Sequence, residues 1–224
     1  MTAPSPLLDP RLLRLRGLLD PVDGPAVGPG VPPDAPPADP FRPPADVPGA
    51  PPPPARAAVA VVLRETVELE LLLIQRAISE RDPWSGHMAL PGGRFSPGDD
   101  SLVSTAIRET AEETGLILDP RERLLGSLDP LSPSTRRLPP LVIAPFVFGV
   151  EETVMVVPDP REVQAALWVP LSHLQDPATR QVVEIPLPEG PIPFPAFQVG
   201  ERGEHVVWGL TYRILDRFLR RIAR

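Results

Sequence analysis

Three glutamates on one predicted helix are the residues of this chain best placed to do chemistry. The spacing predicts a helix over residues 101–114 that ends at Gly115, since glycine suits the left-handed position after a helix. At about 100° per residue, Glu109, Glu112 and Glu113 share one side of a single turn. Like charges at this spacing repel by about 0.2–0.5 kcal/mol per pair. A bound cation therefore explains the cluster better than solvent does.

The donor atoms of this cluster narrow the choice of cation. Carboxylate oxygens are hard ligands, the chain has no cysteine and no histidine lies nearby, so Mg²⁺ or Mn²⁺ is favoured over Zn²⁺. On the opposite side of the helix Val103, Ile107 and Ala111 form the stripe predicted to pack against the protein. From the three glutamates alone, an ordinary solvated acidic face is the alternative interpretation.

Proline divides the chain into two parts. It accounts for 36 of the 224 residues, and half of these prolines fall in residues 1–56. Residues 1–55 are therefore predicted to hold a short leucine-rich helix from about Pro10 and a polyproline-like arm. Residues 56–224 have the size and composition of one domain. The arm is either a loose tether or a segment laid over the domain or over a partner subunit, where Phe41 and the leucine helix would pin it. In the last of these arrangements the arm would form a homodimer.

Charge and composition exclude several classes of function. The formal net charge is −7, which argues against nucleic acid or an anionic membrane as a partner. Every basic residue is an arginine, so no lysine is present for Schiff-base catalysis or a P-loop. The absence of cysteine excludes disulfides and thiolate metal sites. No apolar run approaches the roughly 20 residues that span a bilayer, and no signal-peptide pattern is present, which predicts a cytoplasmic protein.

Apolar runs between turn residues predict the elements that must position the glutamates. Runs that start at Arg56, Glu68 and Leu141 read as buried strands, and shorter candidates include HVVWG. Trp168 and Trp208 lie in such strands and are predicted to be core. A last helix presents one apolar stripe, made of Leu210, Ile214, Leu215, Phe218, Leu219 and Ile222. Several strands between a few helices predict an α/β sandwich.

The segment 91–116 resembles the signature of the Nudix hydrolases, G-x5-E-x7-R-E-U-x-E-E-x-G-U, where U is aliphatic. The matching positions are Arg108, Glu109, Glu112, Glu113, Gly115 and Leu116. Three positions depart from the pattern: Asp100 stands where the family has glutamate, Gly93 is one residue too far away, and Thr110 replaces an aliphatic residue. The resemblance implies an α/β/α sandwich with a mixed sheet and a loop–helix–loop catalytic motif.

The resemblance also implies an activity and roles for individual residues. The family's motif binds Mg²⁺ or Mn²⁺ at a diphosphate and hydrolyses a nucleoside diphosphate linked to another group. Glu109, Glu112 and Glu113 would hold the metal. Arg108 would brace the loop through Asp100 or through a glutamate of the helix.

A carboxylate must also take the proton of the attacking water. In the family it comes from the helix or from a distant loop, so Glu112 and Glu162 are both candidates here.

Residues around the signature are similar to the coenzyme A diphosphatases of the same family. The matching residues are Arg76, Ala77, Arg81, Gly86, Pro91, Gly92 and Gly93, and residues 206–215 resemble the subgroup's Trp-Gly-x-Thr ending. This implies coenzyme A or a related nucleotide derivative as the substrate. The alternatives are a pyrophosphohydrolase of nucleoside triphosphates, including oxidised ones, and a Nudix-like binding module without catalysis. A scaffold protein that works through its proline arm is the weakest alternative.

Five of the flanking residues are candidates for binding that substrate. Arg76 and Arg81 either contact additional phosphates or are ordinary surface arginines. His87 adjoins the glycine turn and is either structural or part of the phosphate site. Gly92 and Gly93 are predicted to place backbone N–H groups beside the phosphates.

Overall fold

The computed structural model describes residues 9–22, 55–78, 85–120, 123–133, 140–187 and 190–223. Arg81, Phe41 and most of the predicted proline arm lie outside these ranges. The helices are α1 Pro10–Arg16, α2 Leu102–Thr114, α3 Leu171–Gln175 and α4 Gly209–Ile222. The strands are β1 Ala55–Glu65, β2 Leu69–Arg76, β3 Met88–Ala89, β4 Gly92–Arg94, β5 Leu124–Ser127, β6 Leu141–Val150, β7 Val163–Pro170, β8 Arg180–Leu187, β9 Gly190–Val199 and β10 His205–Trp208.

Seven of the strands form one mixed sheet. The order is β3-β2-β1-β6-β5, with β4 paired to β1 and β7 paired to β2. The pairing of β1 with β6 is parallel and the other pairings are antiparallel. Strands buried on both faces read as continuous apolar runs, which is the pattern of β1 and β6. Strands β10, β9 and β8 form a second, antiparallel sheet.

Alternate residues of β1 face two separate hydrophobic clusters. Val61 and Leu63 pack in the cluster that contains α1 and α4, whereas Ala60 and Val62 pack in the cluster that contains α2. The main sheet is therefore covered by helices on both faces, and the predicted sandwich is confirmed.

Residues 9–22 pack on the domain. Leu12 is buried so closely against Gly149 that a Cβ there would lie 2.6 Å from a Leu12 methyl carbon. Asp20 pairs with Ser127 as an isolated β-bridge, and Arg221 of α4 binds the Asp20 carboxylate. The leucine helix is thus an integral part of the α4 face. The domain division at residue 56 and the homodimer through the arm stay predictions.

The two predicted helix stripes have different outcomes. On α4, the four central residues of the stripe, from Ile214 to Leu219, are buried as predicted. On α2 the predicted stripe of Val103, Ile107 and Ala111 is only partly buried, although Val103 and Ile107 do pack against the hydrophobic cluster on this face. The fully buried positions of α2 are Leu102, Thr105, Ala106, Thr110, Glu113 and Thr114. The reason is tertiary, since α2 packs its Glu113 side towards β4 and β1.

Trp168 and Trp208 are both partly exposed, which differs from the predicted core positions. Across the described ranges, no helix is long and apolar enough to cross a membrane.

Candidate functional site

Helix α2 begins and ends where the sequence predicts. Ser101 and Ser104 form a reciprocal cap, in which each backbone N–H donates to the other side chain, at 2.8 and 3.2 Å. The helix ends at Gly115, whose φ of 67° is left-handed. These two signals fix which turn carries the glutamates.

Two glycines of β4 bring the main sheet against the carboxylates of α2. A Cβ on Gly93 would lie 2.3 Å from the Glu109 carboxyl carbon, and a Cβ on Gly92 would lie 2.3 Å from the Ala58 carbonyl oxygen. Only glycine fits at position 92, where a Cβ would meet the backbone of β1, whereas a Cβ at position 93 would push the Glu109 carboxylate aside. The Gly92 N–H donates to a carboxylate oxygen of Glu113 at 2.9 Å. This amide, which was predicted to face phosphate, therefore binds an acidic side chain in this conformation.

Glu113 is a buried carboxyl group with little compensation for its charge. Only 2% of the residue is exposed, and burial raises the pKa of its carboxyl group to about 8. The Gly92 N–H and the Arg76 guanidinium, which lies 3.8 Å away, oppose this rise in pKa. The charges of Glu109 and Glu162 add to it. A second positive charge at this point would offset the cost of ionising Glu113.

Arg108 holds the other two glutamates of the cluster. Its Nη1 donates to Glu109 at 2.9 Å and to Glu112 at 3.0 Å. Glu109 is half-buried, and burial raises its pKa against the opposing effect of Arg108. The Glu112 side chain is 52% exposed, so rotation about its side-chain bonds can carry it away from Arg108.

The loop before α2 is braced by Asp99. Arg108 Nε and Nη2 donate to the two Asp99 oxygens at 2.8 and 3.0 Å, which is a bidentate pair. This hydrogen bonding holds the pKa of Asp99 down at about 2. Of the two predicted kinds of partner for Arg108, a glutamate of the helix is found, since Glu109 and Glu112 both accept from it. The other candidate, Asp100, was wrong, because it is exposed beside the helix cap and Asp99 makes the pair in the loop. The acidic position of the signature is thus Asp99, and the extra residue lies between it and Arg108.

A distant loop brings Glu162 towards the same cluster. Backbone amides of Val157 and Asp159 donate to the carbonyl groups of Thr114 and Glu113, at 2.8 and 3.0 Å. Glu162 follows on this loop with an exposed side chain, and its charge is felt by both Glu109 and Glu113. The structure therefore places Glu162 near the glutamates of α2, although the two segments lie far apart in sequence.

Arg76 and His87 occupy the edge of the site. Arg76 reaches Glu113 from β2, and its backbone N–H donates to the carbonyl oxygen of His87 at 3.0 Å. His87 packs its ring edge-on against Trp208. Sequence reasoning missed Trp208, and the Trp-Gly-x-Thr resemblance was the signal that could have found it.

The donor set fits a divalent cation, although its side chains are not gathered as ligands. Among the described residues, no three acidic or histidine side chains converge around a common point. Arg108 instead lies between Glu109 and Glu112. The set is nevertheless all oxygen and combines buried and exposed carboxylates. It includes Glu113, whose pKa stays raised to about 8 although Arg76 lies 3.8 Å away. These are properties that Mg²⁺ and Mn²⁺ sites share.

Comparisons with known proteins agree with this chemistry. A model of the NUDIX domain matches residues 53–186. An uncharacterized protein of Schizosaccharomyces pombe is 34% identical over 160 residues, which cover 63% of this chain and 49% of that protein. The human protein named mitochondrial coenzyme A diphosphatase is 31% identical over 173 residues, which cover 76% of this chain and 70% of that protein.

The fold is shared with a solved structure. A MutT/nudix family protein from Enterococcus faecalis superposes with a TM-score of 0.55 at 18% identity, covering 76% of this chain and 62% of that one. At this identity the superposition supports the fold alone.

Proposed function

The chain belongs to the Nudix hydrolases, and we propose that it cleaves the diphosphate linkage of coenzyme A or a related nucleotide derivative, with Mg²⁺ or Mn²⁺. The observation that carries this proposal is the buried carboxyl group of Glu113 beside two further glutamates. Arg76, at 3.8 Å, compensates the charge of this buried acid only in part, and a cation bound by a polyanionic substrate would offset the remaining cost. The 31% identity to a protein named coenzyme A diphosphatase supports this substrate class.

Glu109, Glu112 and Glu113 are the residues that would hold the metal. When bound, a divalent cation neutralises phosphoryl oxygens and lowers the pKa of water. Arg76 lies at the open side of Glu113 and can bind a phosphate oxygen that approaches this point. Glycines at positions 92 and 93 let β4 lie directly against β1 and the Glu109 carboxylate, where a Cβ would collide with one or the other.

Glu112 and Glu162 remain the two candidates for the group that takes the proton of water. Both are exposed, so both can reach a water molecule that lies between the cluster and solvent. Kinetic and metal-binding measurements on variants distinguish the role of a base from that of a metal ligand. Substitution of a base lowers kcat and leaves the affinity for Mn²⁺ unchanged, whereas substitution of a ligand weakens Mn²⁺ binding as well.

Arg108 acts as a positioning residue in this proposal. It connects Asp99 in the loop before α2 with Glu109 and Glu112 on the helix. Its guanidinium thereby fixes the loop relative to the helix. The resemblance assigns Arg81 to an additional phosphate, and that assignment stays a prediction outside the described residues.

The direct test is a substrate panel with product analysis. The protein is incubated with Mg²⁺ or Mn²⁺ and with coenzyme A, ADP-ribose, dinucleoside polyphosphates and nucleoside triphosphates. Cleavage of coenzyme A to 4′-phosphopantetheine and 3′,5′-ADP is the expected result. Release of pyrophosphate from a triphosphate would instead support the alternative substrate class. Binding without any cleavage would contradict the enzyme proposal.

The predicted cytoplasmic location also belongs to this proposal. The human relative is named a mitochondrial protein, and that name concerns the relative alone.

A further inference from the structure

A row of three partly exposed aromatic rings continues outward from Arg76, and the proposed chemistry uses none of them. The ring centroids of His87 and Trp208 are 5.0 Å apart, with their planes at 67°. Those of Phe194 and Trp208 are 5.1 Å apart, with their planes at 51°. His87 directly precedes β3, Phe194 lies on β9 and Trp208 ends β10. The two sheets thus meet in this row.

His87, the first ring of the row, lies on the same face of the main sheet as the carboxylates. Arg76 and His87 are opposite each other on antiparallel neighbours, since the Arg76 N–H donates to the His87 carbonyl oxygen. Opposite residues of antiparallel strands project their side chains from the same face. On that face the Arg76 guanidinium reaches Glu113. The ring of Trp208 is therefore separated from Arg76 by one side chain.

Core packing alone does not account for this row. The neighbouring Val207 is fully buried, as are the large aromatic residues Phe197 and Phe218. His87, Phe194 and Trp208 instead all keep part of their surface exposed. The Trp208 ring contacts the rings of His87 and Phe194, and the chain enters α4 directly after it, at Gly209 with a left-handed φ of 65°. A fixed, partly open aromatic surface beside a cationic group is suited to a planar ring attached to a phosphate.

We propose that Trp208, flanked by His87 and Phe194, is the surface on which the nucleobase of the substrate stacks. The proposal rests on the proposed function for one point, that the phosphates bind at Arg76 and α2. The ribose would then span the width of His87. Stacking of a base on an aromatic side chain changes affinity by about 5- to 150-fold. Trp208 would thus make the site prefer nucleotides over other phosphates.

The test compares two ligands that differ only in the base. AMP and ribose 5-phosphate carry the same phosphate and sugar, and isothermal titration measures their dissociation constants for the full-length protein with Mg²⁺. We expect wild type to bind AMP about tenfold or more tightly than ribose 5-phosphate. Trp208→Leu is expected to remove most of this preference by weakening AMP binding, with ribose 5-phosphate unaffected. Trp208→Phe should keep much of the preference, since it retains an aromatic face.

Trp168→Leu is the matched control. Trp168 is also partly exposed, but it packs on Arg64, with the guanidinium carbon 4.3 Å from the ring centroid. This variant should bind both ligands like wild type. If Trp208→Leu does not fold, as judged by circular dichroism, Phe194→Leu takes its place with the same expected direction and a smaller change.

The outcomes separate this inference from the proposed function. Equal loss of both ligands in Trp208→Leu, or an unchanged preference for AMP, would overturn the stacking surface even if coenzyme A is cleaved. A selective loss of AMP binding supports the surface even if no substrate is hydrolysed, because the titration requires no turnover.

Discussion

The helices on the two faces of the main sheet bury different kinds of side chain. On one face, α1 and α4 bury leucine, isoleucine and phenylalanine side chains. The charges at the edge of that face are paired, as Asp216 shows with Arg180 and Arg220. On the other face, α2 packs small side chains such as Ala106 on the sheet and carries the buried carboxyl group of Glu113.

This difference indicates that one face mainly stabilises the fold and that the other carries a destabilising charged group suited to chemistry. Apolar burial stabilises by about 25 cal/mol per Å², so the α1 and α4 face contributes most of what holds the domain together. An ionised carboxylate in the interior is destabilising unless it is compensated. Changes on the α2 face should therefore affect activity, and changes on the other face should affect unfolding.

The largest expected effect is on turnover, from Glu112→Gln. Loss of a metal-binding or proton-accepting carboxylate should lower kcat for coenzyme A by about 10²- to 10⁴-fold. The unfolding midpoint should not change, because half of this side chain is exposed. Glu152→Gln, at another exposed glutamate, is the matched control and should retain activity. Wild-type turnover by Glu112→Gln would remove the acidic face of α2 from the mechanism.

The next largest effect is on stability, from Leu12→Ala in α1. Leu12 is completely buried, and loss of a core leucine costs about 2–5 kcal/mol in the free energy of unfolding. Activity per folded molecule should remain, since α1 lies on the face opposite the glutamates. The neighbouring Leu13 is 50% exposed, so Leu13→Ala should cost less than about 1 kcal/mol. Equal denaturation midpoints for the two variants would show that residues 9–22 do not belong to the folding unit.

Glu113→Gln should change how stability depends on pH. The folded-state pKa of Glu113 is about 8, above the ordinary value of 4.5, so between these pH values the folded chain binds more protons than the unfolded chain. Wild-type stability in EDTA should therefore fall as pH rises from about 5 to 9, by about 4 kcal/mol attributable to this residue. The glutamine variant should lack that part of the decrease in urea denaturation. Parallel pH profiles for the two proteins would contradict this assignment.

The smallest effect, with the opposite pH dependence, is expected from Asp99→Asn. The folded-state pKa of Asp99 is about 2, below the ordinary value of 3.8, so its pair with Arg108 stabilises the fold above pH 4. This stabilisation is lost as pH falls through 2. The variant should lose about 1 kcal/mol at pH 7, and the difference should shrink in acid. Asp100→Asn, at the exposed neighbour, should behave like wild type; equal losses in both would restore Asp100 as the brace.

Sequence reasoning succeeded where apolar patterning or backbone chemistry decides the structure. The buried stripe of α4 could be predicted because its apolar residues lie on one side of the helix and arginines lie on the others. The end of α2 followed from Gly115, whose preference for a left-handed φ is local. Glu162 was also selected, although only the fold shows that its loop binds the end of α2.

Sequence reasoning failed where tertiary contacts choose between equivalent residues. Asp99 and Asp100 are adjacent and identical, and the turn geometry before α2 selects Asp99 as the partner of Arg108. The buried side of α2 was displaced because the glycine strand β4 approaches Glu113, and no periodicity encodes that approach. The apolar strand around Trp208 predicts a core position for this residue. Its partly exposed position beside His87 depends instead on how the two sheets meet.

The central claim is that the glutamates of α2 hold the divalent cation required for hydrolysis. Electron paramagnetic resonance of Mn²⁺, titrated with wild type and with Glu109→Gln in parallel with coenzyme A hydrolysis, tests it most directly. Wild type should bind Mn²⁺ and lose all activity in EDTA, and the variant should lose affinity and turnover together. Hydrolysis that persists in EDTA, or unchanged Mn²⁺ binding by the variant, would contradict the claim.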